Sequence, residues 1–385
     1  MANQIDYRRS IPVGSDLRVL LNSELISYGT IQEIVKSKGI FVGISDKAVT
    51  VPLLCSTILT PTEFTQLMED SVGREQRPKT KVSDLKLVLP NSDWVTPLKE
   101  IFSDDSFVLQ NLGEIELVRR PSIVVKGRNQ VEIPYSIVRK DISKDWIHRE
   151  INFDGSILIH EIDGQLKLEF VSNHTSKETD QINRKILSRI AKELKYQNLI
   201  SSEILSNIEF GSFTNPERLR FFKRLVAGNG TSIGIEVTRD GILLQLPDDP
   251  IISWMSDAVR WLKIDGSRLN DIFLISNEKY YDYYYIVRMD VTYPFCIGTN
   301  NGKVKVSYYF YSSIADQARE KHELVSEIGK IVCSPRLNQD AEKYVRAHLE
   351  KDTRSIIDAQ YEGIKNERTP LNTIQAASAG LAGET

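Results

Sequence analysis

The stretch that decides the fold is Ile157–Leu194, ILIHEIDGQLKLEFVSNHTSKETDQINRKILSRIAKEL. Its first part has two short runs rich in apolar residues, Ile157–Ile162 and Leu166–Phe170, on either side of Asp163-Gly164, a pattern typical of a β-hairpin. Its second part repeats an apolar residue every four positions after the polar pair Thr175-Ser176, a pattern typical of a capped amphipathic helix. A hairpin followed at once by a long helix predicts an α+β fold.

Around this stretch the chain changes composition several times, which predicts a multidomain protein. Ile314–Val332 and Asn338–Lys365 are strongly charged and are predicted to be helical. The predicted parts are a small helical module (1–72), a basic linker (73–83), a β-rich unit (84–145), a mixed α+β domain (146–330), charged C-terminal helices (331–368) and a flexible tail (369–385).

The overall composition is that of a globular protein without a dominant charge. Of the 385 residues, 41% are hydrophobic and 26% are charged, and 49 Lys and Arg face 52 Asp and Glu, for a net charge of −3. This balance excludes a histone-like basic chain but leaves room for local basic patches. No apolar run reaches the roughly 18 residues of a membrane span, and the N-terminus lacks a signal peptide's apolar segment. We therefore expect a cytoplasmic protein with no membrane partner.

The sequence lacks the residue patterns of the common cofactor and metal sites. Its three cysteines, Cys55, Cys296 and Cys333, are far apart, and none of its five histidines stands in HExxH or HxH spacing. There is neither a phosphate-binding P-loop nor a GxSxG nucleophile motif. We therefore expect no cofactor and no resident metal.

The N-terminal module contains a helix–loop–helix pattern at residues 30–59, TIQEIVKSKGIFVGISDKAVTVPLLCSTIL. A first helix ends at Gly39-Ile40, a short extended segment follows, and a second helix begins near Lys47 and includes Leu53. This order resembles the SAP-type and LEM-type modules, and Gly39, Ile40, Lys47 and Leu53 stand at positions of that motif.

The resemblance implies a docking module, for DNA in the SAP type and for protein partners in the LEM type. Two residues depart from the pattern: Asp46 replaces a glycine before the lysine, and Pro52 lies inside the second helix. Residues 1–73 hold six basic and eight acidic residues, which is a poor balance for neutralising phosphates. DNA contact by this module would therefore depend on the neighbouring basic linker.

Four basic clusters within residues 74–224 predict a surface that follows a phosphate backbone. Lys185, Arg189 and Lys192 stand at i, i+4 and i+7, which places them in one stripe of a helix. The alternative, that these residues are only the solvated faces of amphipathic helices, stays open. The candidate nucleic-acid-binding residues are Arg74, Arg77, Lys79, Lys81, Lys185, Arg189, Lys192, Arg218, Arg220, Lys223 and Arg224.

A weaker pattern of catalytic type surrounds the hairpin. Asp163, Glu169 and His174 lie where a hairpin leads into a helix, an order that resembles the core of PD-(D/E)xK nucleases. Those enzymes hold a divalent metal with carboxylates and position water with a lysine. Here the lysine, Lys167, precedes the acidic residue instead of following it.

Three functions remain in competition. The leading hypothesis is a non-enzymatic accessory subunit or adaptor of a bacterial multi-protein system, such as anti-phage defence, that contacts DNA or RNA and docks a protein partner. The second is a metal-dependent nuclease or hydrolase with a degenerate carboxylate site. The third is a protein-interaction scaffold that binds no nucleic acid. The sequence leaves the oligomeric state open.

Overall fold

The computed structural model shows a chain of two compact units. The first comprises residues 1–77, 114–116 and 137–154, and the second comprises 78–113, 117–136 and 155–385. The residues that the structure describes are 11, 13–22, 26–43, 46–64, 67, 77–90, 92–103, 115–127, 129–140, 150–162, 166–226, 229–242, 244–246, 249, 260–314, 317–335 and 337–380.

The predicted N-terminal helices are present in the first unit. They are α1 (Gly14–Asn22), α2 (Tyr28–Ser37) and α3 (Lys47–Cys55), and a helical turn follows at 61–64. Leucine, isoleucine and valine side chains from all three helices form one buried core, which includes Leu20 and Ile34. These short helices are therefore stabilised by packing against one another.

The loop between α2 and α3 is defined by its end residues. Gly39 has a φ of +78°, a left-handed conformation that costs least without a Cβ, and it ends α2. The carboxylate of Asp46 accepts a hydrogen bond from the Ala48 amide at 2.8 Å and so caps α3. The predicted helix–loop–helix path is thus formed.

Most residues of a large antiparallel sheet belong to the second unit, and the part of the chain that the structure describes contains twelve strands. The sheet order is β2-β4-β5-β6-β1-β12-β11-β10-β8-β9, with β3 beside β4 and β7 beside β1. The strands are β1 (Lys79–Lys86), β2 (Ile115–Arg119), β3 (Val124–Gly127), β4 (Gln130–Lys140), β5 (Glu150–Glu161), β6 (Lys167–His174), β7 (Ser206–Asn207), β8 (Thr231–Thr238), β9 (Trp261–Asp265), β10 (Tyr285–Ile297), β11 (Asn300–Tyr311) and β12 (Glu323–Cys333).

The stretch that predicts an α+β fold forms the elements expected of it. β5 and β6 pair as an antiparallel hairpin, with Ile159 opposite Phe170. The helix after it is α5 (Lys177–Tyr196), which Ser176 caps, and its predicted apolar residues from Ile182 to Leu194 are buried. The other helices of this unit are α4 (Val95–Ser103), α6 (Asn215–Leu225), α7 (Phe273–Ser276) and α8 (Gln339–Gly380).

Three expectations about segments are wrong. Residues 79–83 belong to β1 instead of a linker, and β1 lies between β6 and β12, so the ranges 84–145 and 146–330 share one sheet. More than half of 314–332 belongs to the strand β12, although Leu324, Ile328 and Ile331 stand at a spacing that favours a helix. The helix α8 runs to Gly380, so part of the predicted tail, 369–385, is helical, and its flexibility stays a prediction.

Successive residues of β1 and β6 face opposite sides of the sheet, as strand geometry requires. On one side Lys81 of β1 contacts Asp180 of α5. On the other side Glu169 of β6 contacts Arg354 of α8. The helices α5 and α8 therefore lie on opposite faces of these two strands, and each face carries a group of charged side chains.

Candidate functional site

The first group, the α5-face cluster, consists of Lys81, His174, Asp180, Arg184 and Glu323. Lys81 Nζ lies 2.7 Å from Asp180 Oδ1 and 2.9 Å from Glu323 Oε2. Arg184 contacts both carboxylates, with its Nε 3.3 Å from Asp180 Oδ2. Two cations thus face two carboxylates, and each carboxylate has partners of opposite charge.

Burial dominates the electrostatics of the α5-face cluster. It lowers the pKa of the His174 imidazole to about 3, so this ring is neutral at pH 7. Burial would raise the pKa of Asp180, but the interactions with His174, which is charged only once acid protonates it, and with the Lys81 cation outweigh burial and lower that pKa to about 2. Removing one partner of such a buried ion pair is strongly destabilising. Because the two cations and the two carboxylates balance, the cluster has no net charge with which to bind a ligand.

A cavity of about 220 Å³ lies beside the α5-face cluster and includes Ser172 and Asn183 in its lining. The Ser172 hydroxyl is buried and makes no hydrogen bond to the described residues. The charged groups that face this cavity are the paired ones of the cluster. The cavity therefore offers polar contacts but no unbalanced charge.

The second group lies on the α8 face beside a cleft of about 650 Å³, which we call the acidic cleft and which Asp84, Lys167 and Asp358 help to line. Asp84 of β1 stands directly opposite Glu169 of β6, so both carboxylates point to the same face. Lys167 Nζ lies 2.9 Å from Asp84 Oδ2. Glu169 Oε2 lies 3.0 Å from His160 Nε2 and 3.5 Å from Arg354 Nε.

The carboxylates of this second group differ in how well they are compensated. Burial would raise the pKa of Glu169, but the His160 hydrogen bond and the Arg354 charge outweigh it and lower that pKa. Burial raises the pKa of Asp84 despite its contact with Lys167. Burial, with the neighbouring charge of Glu169, raises the pKa of Asp358 to about 6. Burial therefore disfavours the ionised forms of Asp84 and Asp358, and the neighbouring cations do not fully offset this effect.

The mouth of the acidic cleft is apolar. Leu166 and Ile204 line it and are 38% and 83% exposed. Ile162, Ile208 and Tyr361 add further apolar surface to its lining. The cleft thus combines acceptor groups inside with an apolar wall, a combination common in binding sites.

The predicted nuclease residues do not form one site. Glu169 and His174 are an odd number of residues apart on β6, so they face opposite sides of the sheet. Asp163 lies outside the described residues. Among the residues that the structure describes, no three His, Cys, Asp or Glu side chains are placed to hold a metal ion.

Two of the predicted nucleic-acid-binding residues are buried within the fold. Lys81 belongs to the α5-face cluster. The Arg218 guanidinium lies over the Phe210 ring at 3.4 Å and donates to the carbonyl oxygens of Phe210 and Phe213. These two cations stabilise the interior, so the prediction that they contact phosphates is wrong.

The other predicted basic residues lie at or near the surface. Lys185, Arg189 and Lys192 are exposed along one side of α5, and we call them the α5 stripe. Arg220 and Arg224 both contact Glu367 of α8. Arg77 and Lys223 are exposed, Lys79 is half-buried, and Arg74 lies outside the described residues.

In the N-terminal module, the motif residues occupy the loop and the second helix. Gly39 ends α2, Ile40 packs against the module core, Lys47 begins α3, and Leu53 is half-buried in α3. The assignment to a SAP-type or LEM-type module stays a prediction.

Sequence reasoning missed Asp84 and Asp358. Asp84 is the first residue of the predicted β-rich unit and follows the predicted basic linker directly, and Asp358 lies in a helix crowded with charged residues. The sequence did contain one signal for Asp358. This residue stands one helical turn after Arg354 and next to Ile357, which is buried. Such a position indicates a side chain at the edge of the buried face of the helix.

The comparisons with known proteins concern the N-terminal module. Residues 15–77 match the family described as "GAPS4b protein N-terminal domain", which is less than a fifth of the chain. No curated protein matches the sequence. Within the described residues, no helix has the length and apolar character to cross a bilayer.

Proposed function

We propose that this protein is a non-enzymatic accessory subunit of a bacterial anti-phage defence system, acting in the cytoplasm, that contacts nucleic acid and docks a protein partner. Two observations support this proposal. Residues 15–77 are similar to the N-terminal domain of GAPS4b, a defence-associated family. The α5 stripe presents three exposed cations on one rigid helix.

The α5 stripe is the observation that carries the nucleic-acid contact. Lys185 and Lys192 are seven residues apart, which is about 10 Å along a helix axis. Phosphates of one DNA strand follow one another every ~3.4 Å along the duplex axis, so three cations over this distance match a short run of phosphates. Because the cations project from a helix without a base-reading loop, the contact would be independent of sequence.

The N-terminal module is the proposed protein-docking part. Its balance of six basic and eight acidic residues disfavours phosphate binding. Phe41 and Ile58 are 83% and 84% exposed, which is unusual for large apolar side chains on a small helical module. The resemblance of its helix–loop–helix to the LEM type agrees with a protein partner.

The test is a salt titration of binding to labelled duplex DNA, single-stranded DNA and RNA, with and without magnesium. We expect binding at about 50 mM salt with a steep salt dependence. Replacing all three stripe residues by glutamate removes about three phosphate contacts and lowers the salt slope by about 2–3. The matched control is Lys343→Glu, an equally exposed cation on α8.

Two results would contradict parts of this proposal. If the full chain binds no nucleic acid at about 50 mM salt, the phosphate contact is wrong and a protein-interaction scaffold is the better interpretation. If magnesium-dependent cleavage occurs and Glu169→Gln abolishes it, the accessory role is wrong and the hydrolase alternative returns. If the α5 stripe contacts nucleic acid, the stripe variant should lose more affinity for it than Lys343→Glu does.

A further inference from the structure

The acidic cleft contains hydrogen-bond acceptors that lack donors. Asp84 Oδ1 is buried and accepts no hydrogen bond from the described residues, although Asp84 Oδ2 pairs with Lys167. Asp358 makes no hydrogen bond and no ion pair within 4.0 Å in the part of the chain that the structure describes. A buried acceptor without a donor is energetically costly, so the arrangement favours a group that brings N–H donors.

The cations around the cleft are already engaged or lie at its edge. Lys167 pairs with Asp84, Arg354 with Glu169, and Lys365 lies 2.8 Å from Glu362. Lys86 is exposed. The charged groups that line the cleft are Asp84, Lys86, Lys167, Asp358, Glu362 and Lys365, and Tyr361 adds a titratable phenol. His160, Glu169 and Arg354 lie on the same face of the sheet.

We propose that the acidic cleft binds an organic cation, a guanidinium or primary ammonium group carried on an apolar stem. The cationic head would donate to Asp84 Oδ1 and to the Asp358 carboxylate, in charge-assisted hydrogen bonds. The stem would lie along the apolar wall that ends at Leu166 and Ile204. The volume of about 650 Å³ falls within the ~300–1,000 Å³ of small-ligand pockets.

This chemistry has two sources, a free amine or an arginine or lysine side chain of a bound peptide. Both place the same head between Asp84 and Asp358. They differ at the mouth, because a peptide backbone would extend past Leu166 and Ile204 while a free amine would end inside the cleft. The inference does not rest on the proposed nucleic-acid contact, because the α5 stripe lies on a different helix from the one that forms the cleft.

The test is calorimetric titration of the full chain at pH 7.5 with three probes: agmatine, spermidine and the peptide acetyl-Leu-Arg-Leu-amide. We expect saturable binding of at least one probe. Asp358→Asn and Asp84→Asn each remove one charged acceptor and should weaken binding at least about tenfold. The matched control Asp352→Asn, an exposed carboxylate on the same helix, should leave it unchanged.

The pattern across probes distinguishes the sources. Binding of agmatine or spermidine that the peptide cannot match indicates a free amine, and tighter binding of the peptide indicates a side chain of a partner. The proposal is overturned if none of the three probes binds, if Asp352→Asn weakens binding as much as Asp358→Asn, or if only magnesium or manganese binds at these carboxylates. Circular dichroism of each variant separates lost binding from lost folding.

The same variants keep the two proposals separate. Asp358→Asn and Asp84→Asn should leave the salt dependence of nucleic-acid binding unchanged. Replacing the α5 stripe should leave probe binding in the cleft unchanged. A variant of either group that abolishes both readouts while the protein stays folded would contradict the assignment of two independent surfaces.

Discussion

The two faces of β1 and β6 carry similar charged groups but balance them differently. On the α5 face, Lys81 and Arg184 face Asp180 and Glu323, and the pKa of Asp180 is lowered. On the α8 face, Lys167 contacts Asp84 and Arg354 contacts Glu169, but burial still raises the pKa values of Asp84 and Asp358. The difference separates a group that stabilises the fold from a group suited to bind a ligand.

The contrast also predicts opposite responses to pH. On the α5 face, the folded-state pKa values of His174 and Asp180 lie below the ordinary ones, so the unfolded chain binds more protons on acidification and stability falls. On the α8 face, the folded-state pKa of Asp358 lies above the ordinary one. The folded protein then binds the extra proton, and the contribution of this group becomes more favourable as the pH falls.

The largest expected effect comes from breaking the α5-face cluster. Asp180→Asn leaves Lys81 and Arg184 with one carboxylate, Glu323, and should lower the free energy of unfolding by about 3 kcal/mol. Urea denaturation at pH 7.5 measures it, with the exposed Asp352→Asn as the matched control. Adding Lys81→Met to Asp180→Asn should recover part of the loss. A loss under about 1 kcal/mol would show that the cluster does not behave as a buried ion-pair network.

The next effect isolates the acid sensitivity of the α5 face. His174 is 1% exposed, and its two ring nitrogens make no hydrogen bond to the described residues. The pKa of His174 is about 3 in the folded protein and 6.5 in the unfolded chain. This difference lowers the free energy of unfolding by about 2 kcal/mol at pH 5 and by almost nothing at pH 7.5. Stability from this group is therefore present above pH 6.5 and lost as the pH falls toward 3.

His174→Leu tests this contribution because it removes the titrating ring and keeps an apolar side chain. The free energy of unfolding, measured by urea denaturation at several pH values, should fall less steeply between pH 6.5 and 5 than in the unaltered protein. The matched control is His348→Leu, an exposed histidine of α8, which should leave the slope unchanged. Equal slopes for His174→Leu and the unaltered protein would contradict a neutral buried ring.

Much of the local structure could be predicted from the sequence because it depends on residues close together in the chain. The two apolar runs around Asp163-Gly164 and the four-residue repeat of α5 stand in one stretch. Gly39 and Asp46 mark a helix end and a helix start by their own conformational and hydrogen-bonding preferences. Each of these signals is complete within a few residues.

The candidate site could not be predicted in the same way because it depends on contacts between distant residues. The pairing of β1 with β6 places Asp84 opposite Glu169, and nothing near either residue indicates that pairing. Lys81 and Arg218 look like surface residues by type, and only their partners keep them buried. One signal was available: the odd spacing of Glu169 and His174 on a strand already separates them to opposite faces.

The smallest expected effect belongs to the acidic cleft, and it has the opposite sign. Asp358→Asn removes a carboxylate whose pKa is raised to about 6, so it should stabilise the protein at pH 7.5. We expect a gain of about 1 kcal/mol, less than the full pKa difference implies, because the side chain is partly solvated. Near pH 4 the gain should vanish, since the native carboxyl is then protonated in the folded state.

The gain should also shrink when agmatine is present, because the bound cation stabilises the carboxylate of the unaltered protein but has no such partner in Asp358→Asn. Thermal unfolding of both proteins at pH 4 and 7.5, with and without agmatine, measures all of these differences. A loss of stability at pH 7.5 would mean that Asp358 is paired in solution, and the raised pKa that distinguishes it from Asp180 of the α5 face would then not exist.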